Sequence, residues 1–147
     1  MNKKMTLVIA VVLALFLMGT VSAGFFDFLK GDSGDVTVTE DGQYCTVDEV
    51  AAYIKEFHKL PSNYITKHEA QELGWHGGPL KNYAPGKSIG GDTFTNRQHI
   101  LPDSSDKYIE CDINANGTSR GAERIVYNTG DYSVYYTDDH YETFKEV

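Results

Sequence analysis

The sequence predicts an α+β domain, with N-terminal helices packed on a C-terminal antiparallel β-sheet. Three observations predict it. Two helix-start signatures stand close together early in the domain, a Gly/Pro-rich stretch follows, and the remainder breaks into short β-branched and aromatic runs separated by Asn, Gly and Asp. The first signature is Thr46-Val-Asp-Glu49, a capping-box pattern. Behind it Val47, Val50, Ala51, Ile54 and Phe57 recur at helical spacing, giving an amphipathic helix up to about His58. Pro61 with Ser62-Asn63 breaks it. Thr66-Lys-His-Glu69 opens a second, shorter helix, which Gly74 ends. Gly77-Gly78-Pro79, and then Ala84-Pro85-Gly86 through Gly90-Gly91-Asp92, read as loop. Tyr108–Ile113, Arg124–Tyr127, Ser133–Thr137 and Tyr141–Phe144 read as successive strands.

The N-terminus has a different texture. Lys3 and Lys4 precede an unbroken apolar run from Leu7 to Met18, and Val21-Ser22-Ala23 fits a small-residue cleavage site. Residues 1–23 are therefore expected to be a secretory signal peptide. The apolar run is shorter than the roughly 20 residues a spanning helix needs. The product expected after cleavage is a secreted, extracellular monomer with no stable membrane association. Residues 24–43 are rich in Asp, Gly, Thr and Glu and are expected to be a poorly ordered lead-in. Their Phe25-Phe26-Asp27-Phe28-Leu29 stretch has no evident role. Residues 44–147 form one domain.

The formal charge is −8, and loss of the signal peptide removes two lysines and no acids, giving −10. Unspecific nucleic-acid binding, which depends on neutralising phosphate, is disfavoured by that total, although a local basic cleft is compatible with it. Two cysteines, Cys45 and Cys111, allow a single disulfide in an exported chain. An unstrained bridge closing so long a loop would stabilise by about 3–5 kcal/mol. The alternative is two buried free thiols.

Several short patterns compete for function. Asp112-Ile-Asn114-Ala-Asn116-Gly117-Thr-Ser-Arg120-Gly-Ala-Glu123 fits an EF-hand calcium loop position by position. A strand precedes it rather than a helix, Ser119 stands where an apolar residue is usual, and Arg120 would turn a cation towards the ion. An Asn-Gly turn between strands explains the same residues without a metal. Asn116-Gly117-Thr118 is also a glycosylation sequon. Gly86-Lys87-Ser88 lacks the upstream glycine of a P-loop, because that position is Lys81. The remaining candidates are scattered: Lys67, Glu110, Arg120, Arg124 and His140. Taken singly, none marks a site, since a strand glutamate is usually a solvated face and a lone histidine in a turn is more often surface than catalyst.

Together with longer runs they carry a resemblance. The carriers are Lys59-Leu-Pro-Ser-Asn-Tyr-Ile-Thr-Lys67, Glu69-Ala-Gln-Glu-Leu-Gly-Trp75, Ala84-Pro-Gly-Lys-Ser-Ile-Gly-Gly-Asp92, Asn96-Arg97, Asp112-Ile-Asn114, Arg124-Ile125 and Thr137-Asp-Asp-His-Tyr-Glu-Thr-Phe144. From about Val47 to Phe144 the chain resembles the barnase-like, microbial extracellular guanyl-preferring ribonucleases (N1/T1 type), whose fold is the α+β arrangement above. The resemblance implies cleavage of single-stranded RNA to a 2′,3′-cyclic phosphate that is then hydrolysed, without metal or cofactor. It places Glu110 at the general base, His140 at the general acid, and Lys67, Arg120 and Arg124 around the phosphate, where fixed cations stabilise growing charge. It places Phe94 and Tyr141 beside bases, and Thr95-Asn96-Arg97-Gln98 at the guanine-binding loop. It also implies a possible partner, a barstar-like acidic inhibitor. A Cys45–Cys111 bridge would then pin the first helix to the catalytic strand.

Two departures bear on function. The family's loop usually reads Ser-Asn-Arg-Glu, so Gln98 replaces a charged acceptor by a neutral one and weakens the expected hold on guanine. One residue is inserted around Gly130, which could displace His140. An inactive relative that binds RNA or a protein partner would draw on the same two features.

Overall fold

Thr46, in extended conformation, accepts a hydrogen bond from the Glu49 amide and starts helix α1 (Val47–Phe57). The Glu49 carboxylate closes the motif by accepting from the Thr46 hydroxyl at 2.9 Å. The helix buries Val50, Ala51, Tyr53 and Ile54. It stops at His58, well before Pro61. That residue adopts the left-handed conformation at φ 60°, and its N–H returns to the Ile54 carbonyl. Thr66 and Glu69 form a complete capping box for α2 (Lys67–Glu72), and Gly74 follows at φ 103°.

The computed structural model describes residues 36–147, which form one unit. The signal-peptide expectation and the Phe25–Leu29 stretch lie outside the described residues. Six strands make one sheet in sequential order: β1 (Tyr64–Ile65), β2 (Ser88–Phe94), β3 (Tyr108–Asp112), β4 (Arg124–Asn128), β5 (Val134–Thr137) and β6 (Lys145–Glu146). The first pair is parallel and all later pairs are antiparallel. Alternation along β3 assigns its two faces. Ile109 and Cys111 join Val50, Ile54, Ile125 and Val134 in the core beneath α1. Tyr108 packs with Val126 and Leu101 in a second cluster with Phe94, Tyr141 and Phe144 at its edge. Glu110, opposite Val126 in the register, shares that second face.

Three sequence expectations are corrected. The stretch read as loop through Asp92 contains β2, whose Gly90-Gly91 masks the strand pattern. The ladder shifts register between Gly90 and Asp92, and Gly91 has φ 109°. Tyr141–Phe144, expected as a strand, is a turn, because His140 and Tyr141 both take left-handed backbone (φ 57° and 75°). Residues 36–43, expected to belong to a poorly ordered lead-in, pack on the domain. Val38 is 6% exposed, the Tyr53 hydroxyl donates to the Glu40 carbonyl, and Lys59 pairs with the Glu40 carboxylate.

A fourth correction concerns the cysteines. Cys45 and Cys111 are free thiols. Cys111 does point into the core, but the Cys45 carbonyl is bonded to the Asn114 amide at 2.8 Å, which aligns Cys45 with the chain beyond the end of β3. Burial raises both thiol pKa values.

Gly90 is where β2, β1 and β3 crowd together. A Cβ there would lie 2.5 Å from Tyr64 Cδ1 and 2.6 Å from Cys111 Cβ. Gly90→Ala is expected to destabilise by about 1–3 kcal/mol, the usual range for overpacking. Urea denaturation checks it: a midpoint equal to that of the unsubstituted protein would contradict this packing.

Candidate active site

Asp112 closes β3 and is 2% exposed, yet its carboxylate meets two cations. Arg120 binds it in bidentate fashion, Nε to Oδ2 at 2.6 Å and Nη2 to Oδ1 at 2.9 Å. Arg124 Nε lies 3.1 Å from Oδ1, off the hydrogen-bonding direction, while its Nη1 donates to the carbonyls of Gly121 and Glu123. Arg124 itself is 4% exposed. The Arg120 guanidinium sits 6.0 Å over the Trp75 ring, and the hydrogen bond to Asp112 raises its pKa further. Two guanidinium groups against one carboxylate leave a positive surplus next to Glu110. This pairing also explains why the calcium-loop pattern is coincidental: its first carboxylate is bonded to arginine. Its last, Glu123, accepts from Asn114 and from the Tyr136 hydroxyl.

Beyond β5 the chain turns on Asp139. One carboxylate oxygen accepts from the Thr137 hydroxyl and from the amides of Glu142 and Thr143, and the other accepts from the Thr143 hydroxyl. These bonds, with those to Thr143 foremost, lower the Asp139 pKa to about 2. The Tyr141 amide donates to Thr137 Oγ1 and the His140 amide to the Ala122 carbonyl. The turn therefore presents an exposed His140 imidazole. It also sends the Tyr141 hydroxyl to Glu110 Oε1, to which it donates. Burial, and then that hydrogen bond, hold the Tyr141 phenol well above its ordinary pKa. Lys67 begins α2 half-buried, its amide bonded to Asp92 Oδ2, and Asp92 is the register partner of Glu110. The residue inserted around Gly130 is absorbed in the β4–β5 turn, where Asn128 Oδ1 accepts from the amides of Gly130 and Asp131. Pairing from Tyr127–Val134 to Arg124–Thr137 continues unbroken towards the His140 turn.

A cavity of about 520 Å³ opens beside this turn, lined by Phe94 to Gln98, Ile100, and His140 to Glu142. Phe94 stacks on Tyr141 with ring centroids 5.2 Å apart. Asn96 shapes the cavity from behind. It holds φ 52°, and its carboxamide clamps Leu101 by both the amide and the carbonyl. Its side chain is thus an internal brace for the loop, and its backbone carbonyl accepts from the His99 amide at 2.9 Å. Three participants escaped the sequence reading. Ile100 and Glu142 line the cavity, and Asp139 shapes the turn; for each, the signal was proximity to Gln98 or to His140.

The ribonuclease family profile matches residues 47–147. The chain belongs to the ribonuclease family. A ribonuclease of Heyndrickxia coagulans is 48% identical over 105 residues, covering 69% of this chain and 95% of that protein. A ribonuclease of Bacillus intermedius is also 48% identical over 105 residues, and there the chain spans 64% of the relative. Guanyl-specific ribonuclease St of Saccharopolyspora erythraea is 42% identical over 57 residues, 37% of this chain and 55% of that one. The resemblance read from the sequence holds at the level of the family, and this ribonuclease is an RNA-cleaving endonuclease.

Two outcomes follow for the ribonuclease site. Asp112→Asn leaves two half-buried or buried guanidiniums without their anion and is expected to cost about 3–5 kcal/mol, as breaking a buried pair does. Denaturant titration reads this, and a loss below ~1 kcal/mol would place the pair among ordinary surface bridges. Asp139→Ala tests the turn by pH. The folded pKa lies below the ordinary carboxylate value, so the stabilisation is complete above about pH 4 and is lost as pH falls through about 2. The gap in melting temperature between Asp139→Ala and the unsubstituted protein should be widest near pH 6 and shrink between pH 4 and 2. A gap independent of pH would contradict the assignment.

Proposed function

We propose that this ribonuclease is a secreted, metal-independent enzyme that cleaves single-stranded RNA 3′ to guanine. The observation that carries the reading is the convergence of Glu110, the arginine pair on Asp112 and the His140–Tyr141 turn on one face of the sheet, beside a cavity large enough for a base. Glu110 takes the proton from the ribose 2′-hydroxyl, and the 2′-oxygen attacks the adjacent phosphorus. The bond from phosphorus to the 5′-oxygen breaks, and His140 supplies the proton to that leaving oxygen. A 2′,3′-cyclic phosphate results. Water then attacks it with the two proton roles reversed. The nucleophile belongs to the substrate, so DNA, which lacks it, is not cut. Arg120 and Arg124, held on Asp112 before the substrate arrives, act with Lys67 to stabilise the charge that grows on the phosphoryl oxygens.

The Tyr141 hydroxyl holds one oxygen of Glu110 and leaves the other for the ribose. Phe94 and Tyr141 offer aromatic surface to a base, and Thr95, Asn96, Arg97 and Gln98 border its edge. The guanyl-specific name of one relative supports the base preference. Residues 1–23 support secretion, and after their removal the protein acts as a monomer. A barstar-like acidic inhibitor is the partner the family suggests. The chain's own negative charge would slow that encounter by weakening electrostatic steering.

The deciding experiment incubates the protein with RNA and with DNA in excess EDTA. RNA should yield cyclic phosphates while DNA stays intact. Glu110→Ala and His140→Ala should each lose about 10²–10⁴-fold in kcat, the usual worth of one proton transfer. Intact RNA under those conditions, or full activity in either variant, refutes the mechanism.

A further inference from the structure

Glu142 lies two residues beyond His140, and its side chain is the acidic one that borders the 520 Å³ cavity. Its backbone is fixed, with the amide bonded to Asp139 Oδ1 at 3.1 Å in the same turn that sets His140 and Tyr141. Among the described residues its carboxylate meets no hydrogen-bond donor and no cation, and the side chain is exposed to the cavity and solvent. The two carboxamides bordering the cavity are differently placed. The Asn96 carboxamide is committed to Leu101, whereas Gln98 is neutral and carries one acceptor oxygen.

We propose that Glu142 is the base-reading carboxylate of this cavity and sets the preference for guanine. The proposal rests on the reading of the cavity as the base site. Guanine presents N1–H and N2–H side by side, and a carboxylate can accept both at once in charge-assisted hydrogen bonds. Adenine and cytosine present an amino group next to a ring acceptor, and uracil places its single N–H between two carbonyl oxygens. Each of these sets a lone pair against the carboxylate, so discrimination comes from repulsion as well as attraction. Gln98, which also borders the cavity, carries an N–H donor suited to the guanine O6. A carboxylate and a carboxamide thus border the same cavity, the acid from the His140 turn and the amide from the loop.

The test measures kcat/KM in EDTA on GpU, on IpU, whose hypoxanthine lacks the 2-amino group, and on ApU. The unsubstituted protein should prefer GpU to both. In Glu142→Gln the GpU:IpU and GpU:ApU ratios should fall about tenfold or more, since a charged acceptor and one of two hydrogen bonds are lost. Glu142→Asp, which keeps the charge on a shorter arm, should fall between them. Melting curves confirm that the variants fold, as the side chain bonds to nothing it would leave unsatisfied. Selective GpU cleavage with ratios unmoved in Glu142→Gln overturns this proposal and leaves the cleavage mechanism standing. Equal rates on GpU and IpU in the unsubstituted protein also overturn it. Failure to cut any of the three overturns the mechanism as well.

Discussion

The active face is organised around one buried carboxylate. Asp112 ends β3 two residues after Glu110, and it gathers guanidiniums from Arg120, before β4, and Arg124, at its first position. The alternative would be two cations at the sheet face with no partner, in a region where their own desolvation is costly. Magnitudes separate this pairing from others in the molecule. Lys59 and Glu40 approach equally closely, at 2.8 Å, but both are more than half exposed, and such pairs contribute about 0–1 kcal/mol. Removing the buried anion costs several times that. The same contact therefore ties the β3–β4 connection to the sheet and sets two cations beside Glu110.

A second constraint comes from backbone conformation. Two consecutive non-glycine residues with positive φ, His140 and Tyr141, are unfavourable locally and persist only where their surroundings compensate. Asp139 supplies the compensation through bonds to Thr137, Glu142 and Thr143. The consequence is chemical. Successive left-handed residues turn His140 outward and Tyr141 inward, so one short turn faces the cavity, the solvent and the Glu110 carboxylate together. Through its ring Tyr141 stacks on Phe94, and through its hydroxyl it meets Glu110, so the wall of the cavity and the proposed base share one side chain.

What the sequence revealed divides along a physical line. Both helices were legible because capping and amphipathic spacing act within a few residues, as Thr46 and Thr66 show. Strands β3, β4 and β5 were legible from their β-branched and aromatic residues. Strand β2 was hidden because Gly90 and Gly91 answer to a tertiary demand, the closeness of Tyr64 and Cys111. Tyr141–Phe144 has strand composition, but side-chain bonds to Asp139 override it. At the proposed site, Glu110, His140, Lys67 and the arginines were singled out by ordered resemblance alone, since nothing local marks them. Glu142 was missed because an exposed Glu beside a turn looks like solvated surface until the cavity beside it is seen.

The net charge of −8 is the feature least expected of an enzyme acting on a polyanion, and the arrangement of charges resolves it. Acids such as Asp103, Asp106, Asp131 and Glu146 lie on exposed loops and on the edge strand, where water and salt screen them beyond about 8–10 Å. Arg124 is buried and Arg120 half-buried, so their fields are screened far less. Potential beside Glu110 is thus set by nearby, poorly screened cations rather than by the total. The acidic exterior still matters for encounter, because it weakens long-range attraction to RNA and to any acidic protein. Such a molecule gives up speed of association and retains a positive patch beside Glu110.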